Sequence, residues 1–295
     1  MRSYEFVTLD VFTSRRFGGN PLAVFPDARG LSDDEMQALA AEFNYSETTF
    51  VLPPQDAAHT ARVRIFTPRT ELPFAGHPNI GTGHVLADRG RDRDGRMVFE
   101  EIAGPVAVHA RREADGGLLV AIDAPQPFAR GATLTAANVA ACAGLTAAEV
   151  LTAAHPPLIA SVGTPFVIAE VTGAALTRAA PDIAGFQAVQ ARAPAWRGQA
   201  GLHLYARDGA RLRARMFAPA LGVAEDPATG SANLALAALL LSLDRAAELQ
   251  AEVVQGEEMG RPSLLQVAAH RAADGSIRAR VAGRCVTVLR GEAML

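Results

Sequence analysis

The sequence predicts an α+β fold built from two similar lobes. Three observations carry that prediction. Residues 62–68 and 213–219 share one pattern, R-x-R-apolar-F-x-P, with Arg62, Arg64, Phe66 and Pro68 in the first copy and Arg213, Arg215, Phe217 and Pro219 in the second. A repeat at so long a period means two lobes rather than a solenoid. Each copy is followed by a glycine-rich turn and an apolar helix, and Asp226 falls opposite Gly76 in this reading. Strand patterns stand before and after that helix in both halves, which argues against regular βαβ winding.

The elements follow in order. Residues 4–12 alternate as a strand, 17–21 form a turn-rich loop and 21–25 a short strand. Ser32 to Glu35 is a capping box, continued by Met36, Leu39, Ala40 and Phe43 as a helix that ends at Asn44. Strands are expected over 48–52 and 61–67, a loop over 70–77, a helix over 78–88, and strands over 97–102, 106–111 and 118–123. Pro125-Gln126-Pro127 reads as the crossing between lobes. The second lobe opens with short helices, Thr146 to Glu149 being another capping box. Strands over 159–162 and 166–171, a helix over 181–193, and strands over 202–207 and 212–217 lead to the second buried helix. Closing strands are expected over 253–255, 264–270, 277–281 and 285–289.

Residues 222–243 are the most informative stretch. Glu225-Asp226-Pro227 precedes Thr229-Gly230-Ser231, and a nearly unbroken run of Leu and Ala follows. A helix apolar on all sides must be enclosed by other structure. Its first N–H groups have no internal acceptor and lie at the positive end of the dipole, where a carboxylate or phosphate fits. The plainer reading is a buried helix with a polar cap. Two lobes with equivalent helix starts suggest a small-molecule site in a cleft.

Composition narrows the function. A hydrophobic fraction of 49% supplies ample core, and a net charge of −3 gives no reason to expect nucleic acid or an acidic membrane surface. The chain contains no lysine, which removes Schiff-base, P-loop and pyridoxal phosphate chemistry together. Cys142 and Cys285 are far apart and outside any C-x-x-C, so neither a zinc site nor a disulfide framework is supported. No secretory signal or membrane span is read, so a cytoplasmic protein is expected.

Among candidate chemical groups, Glu47 stands beside Thr48, Thr49, Phe50 and Val51, a setting that desolvates a carboxylate and raises its pKa towards the working range. A solvated loop glutamate is the ordinary alternative. Asp226 precedes a helix start and could simply complement its dipole. His77 could donate a hydrogen bond or relay a proton, although a histidine beside Gly and Pro is more often structural. His84 lies on much the same helix face as His77, but no metal triad or H-E-x-x-H accompanies it. Gly81-Thr82-Gly83 falls short of a dinucleotide fingerprint because Leu86 stands at the last position. The hydroxyls of Ser46 and Ser231 read as caps or substrate partners, and no G-x-S-x-G marks a nucleophile.

These residues, taken with their neighbours, carry a resemblance. Asp10 to Thr13, Gly18 to Val24, Ser46-Glu47-Thr48, Phe74 to Pro78, Gly81-Thr82, Glu225 to Ala232, and Gly256 with Met259 to Ser263 lie in order along the whole chain. Together they resemble the phenazine-biosynthesis PhzF-like family. The resemblance implies a diaminopimelate-epimerase-like fold, in which two pseudo-symmetric lobes each wrap a curved mixed sheet around a central helix and the site lies between them. It implies a homodimer without cofactor or metal that isomerises a small carboxylate, such as trans-2,3-dihydro-3-hydroxyanthranilate, by proton transfer. Glu47 matches the acid–base glutamate, and His77 and Asp226 match supporting polar residues. Gly76, Gly230 and Ser231 match positions that hold the substrate carboxylate, with Ser46 beside them. The racemases of the wider fold carry a cysteine in each lobe, where Gly76 and Asp226 stand here. The first lobe is expected over 1–120, completed by a strand over 284–295, and the second over 121–283. A non-catalytic anion-binding protein and a serine-dependent hydrolase are the alternative readings.

Overall fold

The computed structural model describes residues 2–193, 196 and 201–295. The chain divides into two compact units, Met1–Asp123 with Ala282–Leu295, and Ala124–Val281.

Unit 1 contains β1 (Ser3–Val11), β2 (Asn20–Phe25), α1 (Asp33–Phe43), β3 (Glu47–Leu52), β4 (Ala61–Phe66), β5 (Glu71–Leu72), α2 (Gly76–Asp88), β6 (Arg96–Glu101), β7 (Gly104–Arg112) and β8 (Leu118–Asp123). Unit 2 contains β9 (Ala129–Thr133), α3 (Ala136–Ala143), β10 (Val150–Leu151), β11 (Leu158–Ser161), β12 (Pro165–Val171), α4 (Gly173–Arg178), α5 (Ile183–Arg192), β13 (Leu202–Asp208), β14 (Arg211–Ala218), β15 (Val223–Asp226), α6 (Gly230–Ser242), β16 (Glu248–Gln255) and β17 (Ser263–Arg271). The long strand β18 (Ile277–Met294) supplies residues to both units.

The same pairing scheme occurs twice. In unit 1, β1 is antiparallel to β2, β2 parallel to β3, β3 antiparallel to β4, and β4 antiparallel to β5 and parallel to β6. In unit 2, β11, β12, β13, β14, β15 and β16 repeat that series of senses. The helix between the fifth and sixth strands is enclosed in each case. All of α2 from Gly76 to Ala87 is buried except His84, as is α6 from Ala232 to Leu241. Enclosure explains why α2 tolerates glycine in its middle. A Cβ on Gly81 would lie 2.5 Å from Leu22 Cδ2, while one on Gly83 would lie 2.7 Å from Val108 Cγ1. Strands on different sides therefore touch the helix backbone directly.

A second apolar layer covers the outside of each sheet. In unit 1, α1 packs Met36, Leu39 and Ala40 on Phe25, Phe50 and Phe66. Phe25 stacks on Phe50 at 4.9 Å, and Phe50 meets Phe66 edge-on at 5.5 Å. The capping box of α1 is formed, with Ser32 accepting from the Glu35 N–H and Glu35 accepting from the Ser32 N–H. In unit 2 the corresponding layer is α3, α4 and α5 over β12 and β13, with Val139, Leu176, Phe186, Val167 and Leu204 in its core.

The repeated R-x-R-apolar-F pattern has a physical purpose. Arg64 grips Glu71 with two hydrogen bonds, of 2.7 and 2.6 Å, and lies 5.0 Å over the Phe66 ring. Arg215 does the same with Glu225, at 2.7 and 2.8 Å, and lies 5.0 Å over Phe217. Each pair ties the fourth strand to the short fifth strand that delivers the chain to the buried helix.

Several boundaries differ from the sequence reading. The first buried helix starts at Gly76, two residues before Pro78, because proline in a first turn loses no intrahelical bond. The expected loops contain the short strands β5 and β15. The strand expected over 253–255 begins at Glu248, and the last two expected strands are the single strand β18. Gly283 is no break there; its Cβ would stand 2.3 Å from Phe12 Cδ1, so the residue is small for packing. The equivalence of Asp226 with Gly76 is also overturned. Leu72 pairs with Ile65 and Asp226 with Met216, and Ile65 and Met216 occupy the same place in the repeat. Asp226 therefore matches Leu72, and Gly230 matches Gly76. A 3-10 turn at Pro219–Leu221 lengthens the second copy and hides this in the sequence.

The Arg215–Glu225 pair predicts a stability result. Arg215 is buried and also donates to the carbonyls of Leu176 and Ala179. Arg215→Ala should lower the unfolding free energy by about 3–5 kcal/mol, since Glu225 loses its partner. Urea titration should show a smaller loss for the double variant Arg215→Met/Glu225→Gln, which leaves no unpaired charge.

Candidate active site

In unit 1 the first residues of β2, β3 and α2 converge. Glu47 opens β3 and His77 is the second residue of α2; Glu47 Oε2 and His77 Nε2 are 3.4 Å apart. The glutamate side chain retains 17% exposure and the histidine 6%. Asn20, fully buried, stands on the far side of the ring, with its amide nitrogen 3.4 Å from His77 Nδ1. Its carbonyl oxygen accepts the Ser46 hydroxyl at 3.1 Å. Asn20 is held by the loop before it. The Phe17 N–H donates to buried Asp10 at 2.7 Å, and Gly19 has φ +62 with Val11 O 2.3 Å from the place of a Cβ.

Burial pushes the His77 pKa down to about 3, against a smaller opposing pull from the Pro21 carbonyl. The ring is therefore neutral at ordinary pH, and its contact with Glu47 joins a carboxyl group to a dipolar imidazole rather than to a cation.

Unit 2 assembles the other expected group. Asp226 ends β15 and is buried, accepting the Thr229 hydroxyl. Gln255 braces the turn between them. Its Nε2 donates to the Asp226 carbonyl at 2.8 Å and to Thr229 Oγ1 at 3.1 Å, while its Oε1 accepts from the Thr229 N–H and Asn233. Gly230 and Ser231 form the first two positions of α6; the glycine is buried and the serine half-buried. No side-chain cap bonds the first turn of α2 or α6, and neither turn carries an acidic residue. Both helix starts thus present first-turn N–H groups that no side-chain cap takes up.

The structure thus brings Glu47, His77, Gly76 and Ser46 together in one unit, and Asp226, Gly230 and Ser231 in the other. The duplication is chemically unequal. Counting back one residue from the pairs Thr48 with Phe66 and Leu202 with Phe217, the counterpart of Glu47 is Gly201. A carboxylate stands at this strand start in one copy only.

Sequence reasoning missed Asn20, Asn79, Asn233 and Gln255. One signal was available: Asn79 and Asn233 stand three residues after the glycine of each helix, and each donates 3.0 Å back to the residue before that glycine, Ala75 or Thr229. A buried asparagine repeated in two apolar helices marks a bonded turn. Gln255 lies in a strand with no motif of its own.

Cysteine chemistry finds no support. Burial pushes the Cys142 thiol up to about 12 and raises that of Cys285 further, so neither is a ready thiolate. Among the described residues no group of three or more His, Cys, Asp and Glu side chains could hold a metal ion, and no helix is long and apolar enough to cross a membrane. The Ser46 hydroxyl is engaged with an asparagine oxygen rather than a histidine, an arrangement that does not activate a nucleophile.

Comparison with known proteins agrees with this architecture. The profile of the family described as phenazine biosynthesis-like protein matches residues 9–291. The chain is 36% identical to trans-2,3-dihydro-3-hydroxyanthranilate isomerase of Pseudomonas chlororaphis, over 99% of this chain and 100% of that one. It is also 36% identical to an uncharacterised isomerase of Mesorhizobium japonicum, over 99% of both chains. A PhzF-family protein of Bacillus anthracis superposes with a TM-score of 0.88 at 25% identity, covering all of both chains. A hydroxyproline epimerase of Agrobacterium vitis, at 14% identity and a TM-score of 0.65 over 100% of this chain and 93% of that one, shares the fold. With a duplicated sheet-wrapped helix, and with sequence identity sustained from end to end, the chain belongs to the phenazine biosynthesis-like PhzF family and to its isomerase class.

Proposed function

We propose that this protein is a cofactor-independent isomerase that moves a proton within a small cyclic or unsaturated carboxylate, of the kind named in its relatives, trans-2,3-dihydro-3-hydroxyanthranilate. The observation that carries the reading is the Glu47 carboxyl, partly exposed and 3.4 Å from the buried, neutral ring of His77. A carboxylate in that position takes a proton from an activated carbon and, as the acid so formed, returns it to another carbon of the same molecule. No net oxidation or group transfer occurs. The neutral imidazole meets Glu47 as a dipole and not as a counter-ion.

The uncapped N–H groups at Gly76–His77 suit the substrate carboxylate, and Gly230–Ser231 offers the same kind of anion-binding start within unit 2, since helix dipoles favour negative charge. Ser46 in unit 1 and Asp226 in unit 2 are the further polar groups of this reading. The reading includes cytoplasmic residence and a homodimer.

Three outcomes test it. Glu47→Gln should leave circular dichroism unchanged and lower kcat on trans-2,3-dihydro-3-hydroxyanthranilate by about 10²–10⁴-fold, the scale of a positioned general base. In heavy water the native enzyme should place deuterium on substrate carbon and this variant should not; near-normal turnover or wash-in by Glu47→Gln would end the proposal. Ser231→Pro removes an N–H at the start of α6 while keeping a residue compatible with a first helical turn, and should raise KM more than it lowers kcat. An unchanged KM would detach that helix start from substrate binding. Nitrogen NMR of the His77 ring should show the neutral form throughout roughly pH 5–8. Because its folded pKa lies below the ordinary value of 6.5, the stability linked to this ring is complete above that pH and is lost as pH falls towards 3. A His77 midpoint near the ordinary value would contradict the assigned role.

A further inference from the structure

Each unit closes the corner beneath its buried helix with the last side chain of the strand that follows that helix. In unit 2 the side chain is Gln255; in unit 1 it is Glu101. Strand register establishes the equivalence. Arg62 of β4 lies opposite Glu100 of β6, and Arg213 of β14 opposite Val254 of β16. Arg62 and Arg213 open the repeated pattern, so the next residues, Glu101 and Gln255, correspond. The turns around them correspond too. The Ala103 N–H donates to the Pro73 carbonyl at 3.0 Å, and the Ser263 hydroxyl to the Pro227 carbonyl at 2.9 Å, the two prolines standing at the same distance before their helices.

Gln255 works because its amide has a donor end and an acceptor end. It gives hydrogen bonds to the Asp226 carbonyl and Thr229 Oγ1, and takes them from the Thr229 N–H and Asn233 Nδ2. Glu101 has the same outline. Both of its oxygens are shielded from solvent, and neither has a hydrogen-bond partner of normal geometry. Asn79 Oδ1, in the first turn of α2, also has none, although Asn79 Nδ2 is bonded to Ala75 O. Asn79 is also the side chain that acts on the Glu101 carboxyl, where it lowers the pKa as a donor does, against the larger opposite effect of burial.

An ionised Glu101 would be a buried carboxylate without a counter-ion, which is costly. The charged groups around the neighbouring hollow supply no counter-ion. Its lining includes Asp56, His59 and Glu100, and Glu100 already accepts the N–H groups of Gln55 and Asp56 and contacts His59. Burial pushes the Glu101 pKa up to about 8, which keeps the group neutral at ordinary pH. A neutral carboxyl group carries one donor and one acceptor, the same complement that the amide offers at its two ends.

We infer that Glu101 is a positioning residue for the first turn of α2, doing with a carboxylic acid group what Gln255 does with an amide at the first turn of α6. That turn carries Gly76 and His77, so its precision matters to the chemistry. Only this last clause rests on the proposed isomerase reading, and the test below needs no substrate.

Amide hydrogen exchange over residues 72–80 should be compared in the native protein, Glu101→Gln and Glu101→Ala. The glutamine variant should match the native rate, and the alanine variant should exchange about tenfold faster or more, the scale of one buried polar group left unmatched. Strands β7 and β8 should be unaffected in both. Glutamine exchanging as fast as alanine, or alanine exchanging like the native protein, overturns the inference. Should Glu101→Ala fail to fold, infrared difference spectra of native protein minus Glu101→Gln still decide the matter. At about pH 6 they should contain the C=O stretch of a protonated carboxyl group; a carboxylate signature in its place refutes the assignment.

Discussion

Everything in each unit follows from enclosing one helix completely. A helix wrapped by strands has almost no solvated face, so its residues are mostly small or aliphatic, with few polar side chains among them. Its backbone N–H groups at the start are then the one strongly polar feature that the enclosure cannot satisfy from within the helix. The short fifth strand and the Arg–Glu clamp exist to bring the chain to that start at a fixed place. The clamp is built twice with the same partners and nearly the same distances, Arg64 with Glu71 and Arg215 with Glu225.

The architecture was largely legible because enclosure writes itself into sequence. The run from Ala232 to Leu241 has no polar face, and the R-x-R-apolar-F pattern occurs twice before such a helix. Boundaries were less legible. Pro78 looked like a helix start because proline interrupts most helix patterns, yet in a first turn it interrupts nothing. The strands expected over 277–281 and 285–289 are continuous through Gly283, which is small enough there to admit the Phe12 ring. The insertion at Pro219–Leu221 shifted the apparent partner of Asp226 from Leu72 to Gly76. Local pattern cannot distinguish a residue chosen for its backbone from one chosen for its neighbours.

The candidate site was legible in its acids and glycines and illegible in its braces. Glu47, His77 and Asp226 stand beside strong punctuation, where the chain changes direction. Asn20, Asn79, Asn233 and Gln255 sit within regular elements, and only three-dimensional contact reveals them. Duplication also conceals a division of labour. The two helix starts remain alike, whereas the strand start keeps a carboxylate in one copy and glycine in the other. A repeated scaffold has thus kept its uncapped helix start twice and the carboxylate beside it once.

The pairing of β1 with β18 has a consequence for how the molecule comes into being. Residues Ser3 to Val11 are partnered by Met294 to Cys285, and the Leu289 N–H reaches Thr8 Oγ1 across 281 positions of sequence. A chain made from its amino end therefore emerges with one edge of its opening strand bare, and that edge stays bare until nearly three hundred residues have left the ribosome. Ala124–Val281 is contiguous in sequence and precedes Cys285 to Met294, so its residues are all made before the first unit receives its last strand. During that interval the alternating strand at the front is a template for any other extended segment, which makes this step of synthesis the one at which aggregation competes with folding.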